Sequence, residues 1–219
     1  MKRSTFLILG AGALLPAQSH DAIGIFEAAS DVGNPEVKGS STYDPAKKEY
    51  RLTGAGENMW AKTDQFQFVW KKLGGNFRIS ATMRFAGTGA VAHRKAGIIL
   101  RKSLDGNAPY VDAVVHGDGL TAIQVREMPD DITRGFRFPV LGPARFALER
   151  RGTIYSMWLG KPDGAFQELG SIQVPLAGEL YAGLFVCSHN TKGSETAIFT
   201  DVNLEQFAPS PGTKGGQKK

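Results

Sequence analysis

A period of two in the apolar residues narrows what this chain can fold into more than any other feature. Phe77, Ile79, Ala81, Met83 and Phe85 alternate with Arg78, Ser80, Thr82 and Arg84. Successive side chains of a strand point to opposite faces, so this spacing predicts a strand with one buried face. The next segment repeats it, Ala96, Ile98 and Leu100 alternating with Lys95, Gly97 and Arg101. Similar short segments, divided by Gly, Pro, Asn and Asp, fall at 49–54, 65–70, 145–150, 153–159, 166–174, 180–187 and 197–204. No segment carries a helical period of useful length. About ten or more strands over one core predict an all-β fold, a jelly-roll β-sandwich of two antiparallel sheets.

The two ends follow other rules. Residues 1–19 hold Lys2 and Arg3, no acid, and the apolar run FLILGAGALL from Phe6 to Leu15. That is the pattern of a secretory signal peptide, with small residues at Ala17 and Ser19 for cleavage before His20. The run is half the roughly 20 residues a spanning helix needs, so no integral membrane segment is expected after signal removal. The expected compartment is secreted or periplasmic. Residues 208–219, APSPGTKGGQKK, read as a disordered basic tail. The stretch 20–207 between them reads as one domain. At about 190 residues it buries roughly 70 % of its unfolded surface and needs no disulfide. The sole cysteine, Cys187, lies in GLFVC and reads as a small buried hydrophobe rather than a thiol acting with His189.

With 26 Lys+Arg against 21 Asp+Glu the chain has a formal charge of +5, which at first suggests nucleic acid or an anionic membrane. Five of those positive charges, Lys2, Arg3, Lys214, Lys218 and Lys219, belong to the signal and the tail. The stretch between is balanced at 21 of each sign, so no nucleic-acid partner is expected. It is nonetheless polarised: 65–104 holds eight basic residues and no acid, and 161–207 holds two basic and six acidic.

The segment YVDAVVHGDGLTAIQVR, from Tyr110 to Arg126, carries the most chemistry. A three-residue turn at Gly117, Asp118 and Gly119 sets His116 opposite Leu120, Asp112 opposite Gln124 and Tyr110 opposite Arg126. One face then bears Val111, Ala113, Val115, Thr121, Ile123 and Val125 and suits the core. The other bears Tyr110, Asp112, His116, Gln124 and Arg126, and the preceding strand adds His93, Arg94, Lys95 and Arg101 beside it. This reads either as a ligand groove or as the wet outer face of a sheet. The groove is favoured because the set lacks the Lys, Glu and Thr filler of a solvated strand.

Spacing limits catalysis. Asp112 and His116 lie four residues apart on one strand, about 13 Å between Cα atoms, too far for a dyad or a shared metal. A glycosidase needs two carboxyl groups about 5 to 9.5 Å apart, and the positions flanking Asp112 on its face are Tyr110 and Val114. Glu149 from another strand is the remaining partner for Asp112, with a surface ion pair to Arg150 or Arg151 as the plainer explanation. There is no nucleophile elbow, phosphate-binding glycine loop, HExxH pair or dinucleotide fingerprint. Asp31, Asn34, Asp201 and Asn203 offer oxygen ligands of the kind calcium takes, and turn chemistry explains them equally well. No other cofactor is expected.

The order of segments, FEAASDVGNPEVKGSSTYD, EYRLTGAGENMW, DQFQFVWKKLGGNFRISATMRF, HRKAGIILRKS and YVDAVVHGDG, resembles secreted bacterial modules of the concanavalin A-like lectin/glucanase superfamily. The resemblance covers 25–207, and DQFQFVWKKLGGNF and RKAGIILR are specific to a largely uncharacterised branch. It implies a jelly roll with one concave sheet, often appended to or acting beside carbohydrate-active proteins. Catalytic members place Glu, Asp and Glu at alternate positions on a concave strand, and this chain has no such run, so hydrolysis is not inherited by motif. What the resemblance carries over is the concave face as a site, where Tyr110 and Trp60 would supply rings for sugar stacking. Trp70 and Trp158 read as core. The function expected is therefore glycan binding without catalysis. The alternatives are a glycoside hydrolase or lyase using Asp112 with Glu149 or His116, and an interaction module with a protein partner.

Overall fold

The computed structural model describes residues 22–89 and 91–208. The signal peptide expected at 1–19, and the basic tail from 209 onward, lie outside the described residues. Every regular element among the described residues is a strand, and no helix is long and apolar enough to cross a membrane.

The first sheet runs β1 (Ala28–Val32), β4 (Phe66–Leu73), β13 (Leu180–Cys187), β6 (Lys95–Arg101), β7 (Tyr110–His116), β8 (Thr121–Arg126) and β9 (Arg134–Phe138). The second runs β12 (Phe166–Gln173), β11 (Ile154–Gly160), β10 (Arg145–Arg151), β5 (Asn76–Phe85), β14 (Asn190–Phe207), β3 (Glu49–Gly56) and β2 (Ser40–Asp44). Every neighbouring pair is antiparallel, and the chain crosses repeatedly from one sheet to the other. The fold is the jelly-roll sandwich that the period of two predicts.

The core lies between the sheets. Ile98, Leu100, Val111, Ala113, Ile123 and Leu184 from the first meet Leu52, Phe77, Ile79, Phe146, Leu148 and Phe199 from the second. These are the inward positions of the alternation, and the face assigned to the core in the β7–β8 hairpin is the inward one.

The two outer faces differ. On the first sheet Phe66, Phe68, Ile99, Tyr110, Val114 and Phe185 form a second buried cluster, so β6, β7 and β8 are buried at every position. On the second sheet the outer face is open, with β12 largely exposed or half-buried and Ile154 exposed. Two tryptophans therefore stand elsewhere than in the inter-sheet core. Trp70 is half-buried against the outer cluster, donating from Nε1 to Ser30 Oγ at 3.2 Å. Trp158 lies on the open face of the second sheet, with the Arg78 guanidinium 4.5 Å from its ring. Alternation alone puts Phe66, Phe68 and Trp70 on one face without saying which face is inward.

Candidate functional site

Strand register arranges the outer face of the first sheet in rows. Cys187, Lys95 and His116 make the row nearest the β7–β8 turn. Phe185, Gly97, Val114, Ala122 and Arg137 make the second, and Gly183, Ile99, Asp112, Gln124 and Gly135 the third. Tyr181, Arg101, Tyr110 and Arg126 make the last. The turn that fixes this register closes by His116 N donating to Leu120 O at 2.9 Å, with Gly119 at φ +88°, where a side chain would be strained.

The far end of this face is sealed. The β3–β4 connection, 57–65, lies over it, and Asp64 points inward between two guanidinium groups. Arg126 forks onto Asp64, Nη1 to Oδ2 and Nη2 to Oδ1 both at 2.7 Å, and Arg101 Nη1 donates to Oδ2 at 3.2 Å. The spare donors go to main-chain oxygens: Arg126 Nε to Asp131 O at 2.9 Å, and Arg101 Nε to Ser103 O at 2.7 Å. Tyr110 donates to Met59 O at 2.5 Å. Tyr110, Arg101 and Arg126 are 0 % exposed. Buried charges persist only when paired and hydrogen-bonded, and here the pairing clamps three loops onto the sheet. These three residues, expected on the wall of a groove, are the anchors of its cover and do not line the cleft.

The near end is open. A cleft of about 520 Å³ is lined by Asn58 and Trp60 from the 57–65 loop, His93, Lys95, His116, Leu120, Ala122, Gln124, Gly135, Arg137 and His189. Trp60 is 41 % exposed, its main-chain oxygen accepting from Thr133 N at 2.9 Å. A Cβ at Gly135 would come within 3.2 Å of the indole, so a glycine on β9 lets the ring lie close to the strand. Lys95 is 2 % exposed and donates to Asn58 Oδ1 at 2.7 Å. Gln124 Nε2 lies 3.4 Å from His116 Nε2, and the His93 ring is 5.8 Å from His116 and 5.6 Å from His189 between centroids. His116 Nδ1, His189 Nδ1 and Gln124 Oε1 are buried without a protein partner.

Burial sets the electrostatics. Desolvation, with the Lys95 charge adding to it, pushes the His116 pKa down to about 3, so its ring is neutral near pH 7. His189 is lowered by the same two causes, and Lys95 is lowered by burial. Asp112, 0 % exposed in the third row, is pushed well above the usual carboxylate range by burial, although Lys95 and the Gln124 N–H donated to Oδ1 at 3.1 Å pull the other way.

Of the residues singled out by sequence, the cleft therefore gathers Trp60, His93, Lys95, His116 and Gln124, with Asp112 buried in the row alongside. Arg94 turns away to pair with Glu195 at 2.8 Å. Glu149 cannot complete a pair with Asp112. It belongs to β10 in the second sheet, where it pairs with Arg78 and Arg151 and is buried beneath them on that sheet's outer face. The oxygen ligands considered for calcium are also divided. Asp31 sits on β1 with both carboxylate oxygens accepting from Gly39 N, whereas Asp201 and Asn203 lie on β14 in the other sheet. Asn34 contributes its main-chain oxygen to Gln65. Among the described residues no three His, Cys, Asp or Glu side chains are grouped to hold a metal. Cys187 is fully buried with its thiol pKa raised by burial, and His189 lies beyond the strand end at φ +56°.

Sequence reading missed Asn58, Arg137 and His189 as cleft residues, and Asp64 as the clamp. Arg137 had a signal in RGFRF, where Phe136 and Phe138 alternate with Gly135 and Arg137, but two apolar residues make a short pattern. Asp64 had none, since its partners lie 37 and 62 residues away.

No protein-family model and no curated sequence relative matches the chain. Solved structures do. A functionally unknown protein from Saccharomyces cerevisiae is 13 % identical with a TM-score of 0.60, covering 82 % of this chain and 97 % of its own. An immunostimulatory antigen and pseudo β-1,3-glucanase of Mycobacterium tuberculosis is 12 % identical with a TM-score of 0.53, covering 90 % of this chain and all of its own. The Bacteroides ovatus xyloglucan PUL protein GH43B is 14 % identical with a TM-score of 0.51, and the match spans 91 % of this chain but 41 % of that one. At these identities the likeness establishes the jelly-roll sandwich and leaves activity to the site itself.

Proposed function

We propose that the protein is an exported, non-catalytic carbohydrate-binding β-sandwich, and that the cleft between Trp60 and His116 is its sugar site. One observation carries this reading: a half-exposed indole, set against Gly135, forms the wall of a cleft whose floor presents Gln124, His116 and Lys95. Sugar rings stack on aromatic faces while fixed donors and acceptors meet their hydroxyls. The fold shared with a pseudo β-1,3-glucanase and a xyloglucan-locus protein supports a carbohydrate ligand. The apolar run at Phe6–Leu15 behind Lys2 and Arg3 is what supports export.

Hydrolysis by paired carboxyl groups has no support here, because no Asp or Glu lines the cleft and Glu149 belongs to the other sheet. The test is calorimetry of the protein against a panel of oligosaccharides. Binding that falls at least about ten-fold in Trp60→Ala and in Gln124→Ala supports the site. Wild-type affinity in both variants, or product release in a parallel chromatographic assay, overturns the reading.

A further inference from the structure

Resting on that reading, we propose that the cleft selects an acidic glycan, seating an oxyanion carried on a sugar ring against Lys95 and Arg137. The charged groups lining the cleft are all basic: Lys95 and Arg137, with His93, His116 and His189 around them. Lys95 has no ion pair, and its one hydrogen bond goes to the neutral amide oxygen of Asn58. A cation 2 % exposed with a single neutral acceptor is costly, and an entering anion is the missing counter-charge. Asp112, the carboxyl nearest the cleft in the strand register, does not fill that role. It hydrogen-bonds to the Gln124 main chain rather than to Lys95, and burial favours its neutral form.

Arg137 stands exposed on β9 with no ion pair among the described residues, so it meets a ligand at the mouth, while Lys95 meets it at the floor. The unpartnered Nδ1 atoms of His116 and His189 and the Oε1 of Gln124 are left for ring hydroxyls or for the anion itself. A neutral sugar would satisfy the amide and the imidazoles but leave Lys95 as it is. An anion beside Lys95 opposes the lowering of its pKa by burial, so wherever the free protein has lost part of that proton at alkaline pH, binding takes one up.

Three oligosaccharides test this by calorimetry: a polyuronate, a sulfated chain and a neutral β-glucan. The expected result is that an acidic chain binds about ten-fold or more tightly than the neutral one, with an observed enthalpy at alkaline pH that varies with the buffer's ionisation enthalpy, as proton uptake requires. Tighter binding of the polyuronate assigns the anion to a carboxylate, and of the sulfated chain to a sulfate ester. Lys95→Met lowers affinity for the acidic chain more than for the neutral one, so the preference is lost. Arg137→Gln, at an exposed position, weakens the acidic chain more than the neutral one and serves if Lys95→Met disturbs the Asn58 loop. Equal affinity for acidic and neutral chains, or a preference unchanged in both variants, overturns the anion assignment and leaves glycan binding standing. Failure of all three chains to bind removes both.

Discussion

At the scale of single residues the outer face of the first sheet is governed by two buried groups with opposite demands. Asp64 must be charged, because Arg101 and Arg126 are both buried against it. Asp64→Asn leaves two guanidinium groups without a counter-ion, and breaking such a pair costs about 3–5 kcal/mol. Chemical denaturation should show a loss of that size, with Trp60 fluorescence changing before global unfolding as the 57–65 loop lifts; a loss under about 1 kcal/mol would contradict the clamp. His116 must be neutral. Lys95, His93 and His189 face it as bases, Asp118 approaches from the turn, and Asp112 and Gln124 lie two outer rows away, with the Gln124 side chain reaching back to it. Its folded pKa of about 3 lies below the ordinary 6.5, so between those values the unfolded chain binds a proton that the native protein does not. Stability therefore falls as pH falls through this window, by up to about 1.4 kcal/mol per unit from this group. Asp112 acts in the opposite sense: raised above 3.8, it binds its proton in the native state and loses stability as pH rises. The difference between wild type and His116→Asn isolates the histidine. The variant should lose less stability on acidification from about pH 6 to pH 4, and parallel curves would refute a buried neutral ring.

At the scale of elements, the β7–β8 hairpin was legible because everything that fixes it is local. Gly117, Asp118 and Gly119 define the turn, the turn defines the register, and the register pairs Asp112 with Gln124 and Tyr110 with Arg126 as expected. What covers the polar face was not legible. Tyr, Asp and Arg on alternate positions look the same whether water or a loop lies above them, and here the cover arrives from 57–65 through Asp64. The short edge strands were missed for a related reason. In β9, RGFRF is exposed or half-buried throughout and alternates only over Phe136 and Phe138, and β2, SSTYD, is largely polar, so neither offers an apolar run long enough to mark a strand. Yet β9 positions the site, because a Cβ at Gly135 would lie 3.2 Å from the Trp60 ring. Its backbone needs no unusual conformation, so the constraint is steric. Gly135→Val should keep β9 paired to β8 but push the indole out of line. The expected outcome is glycan affinity reduced about ten-fold with stability changed by less than about 1 kcal/mol. Unaltered affinity would show that the ring's seat on β9 does not matter to binding.

At the scale of the whole molecule the two sheets are unequal, and the inequality locates function. The second sheet is an ordinary half-wet sheet, whose outer face carries ion pairs such as Arg78 with Glu149 over Trp158. The first is buried on both faces around β13, β6 and β7, with the cleft opening only where the 57–65 cover stops. Charge along the chain does not follow this division: the basic, acid-free stretch 65–104 supplies β4 and β6 to the first sheet and β5 to the second, and the acidic stretch 161–207 supplies β13 to the first and β12 and β14 to the second. A sheet covered on both sides holds its amides away from water, and local opening there requires the Asp64 clamp and the inter-sheet core to release together. Native-state hydrogen exchange should therefore rank β6, β7 and β13 as the slowest amides, opening only with global unfolding. The edge strands β2, β9 and β12, half-buried at most, should exchange by local fraying. In Asp64→Asn the slow amides of β6 and β7 should accelerate more than those of β5 and β10, because only the first sheet loses a cover. Equal acceleration in both sheets would mean that the clamp merely adds global stability, and that the closed end of the cleft owes nothing to it.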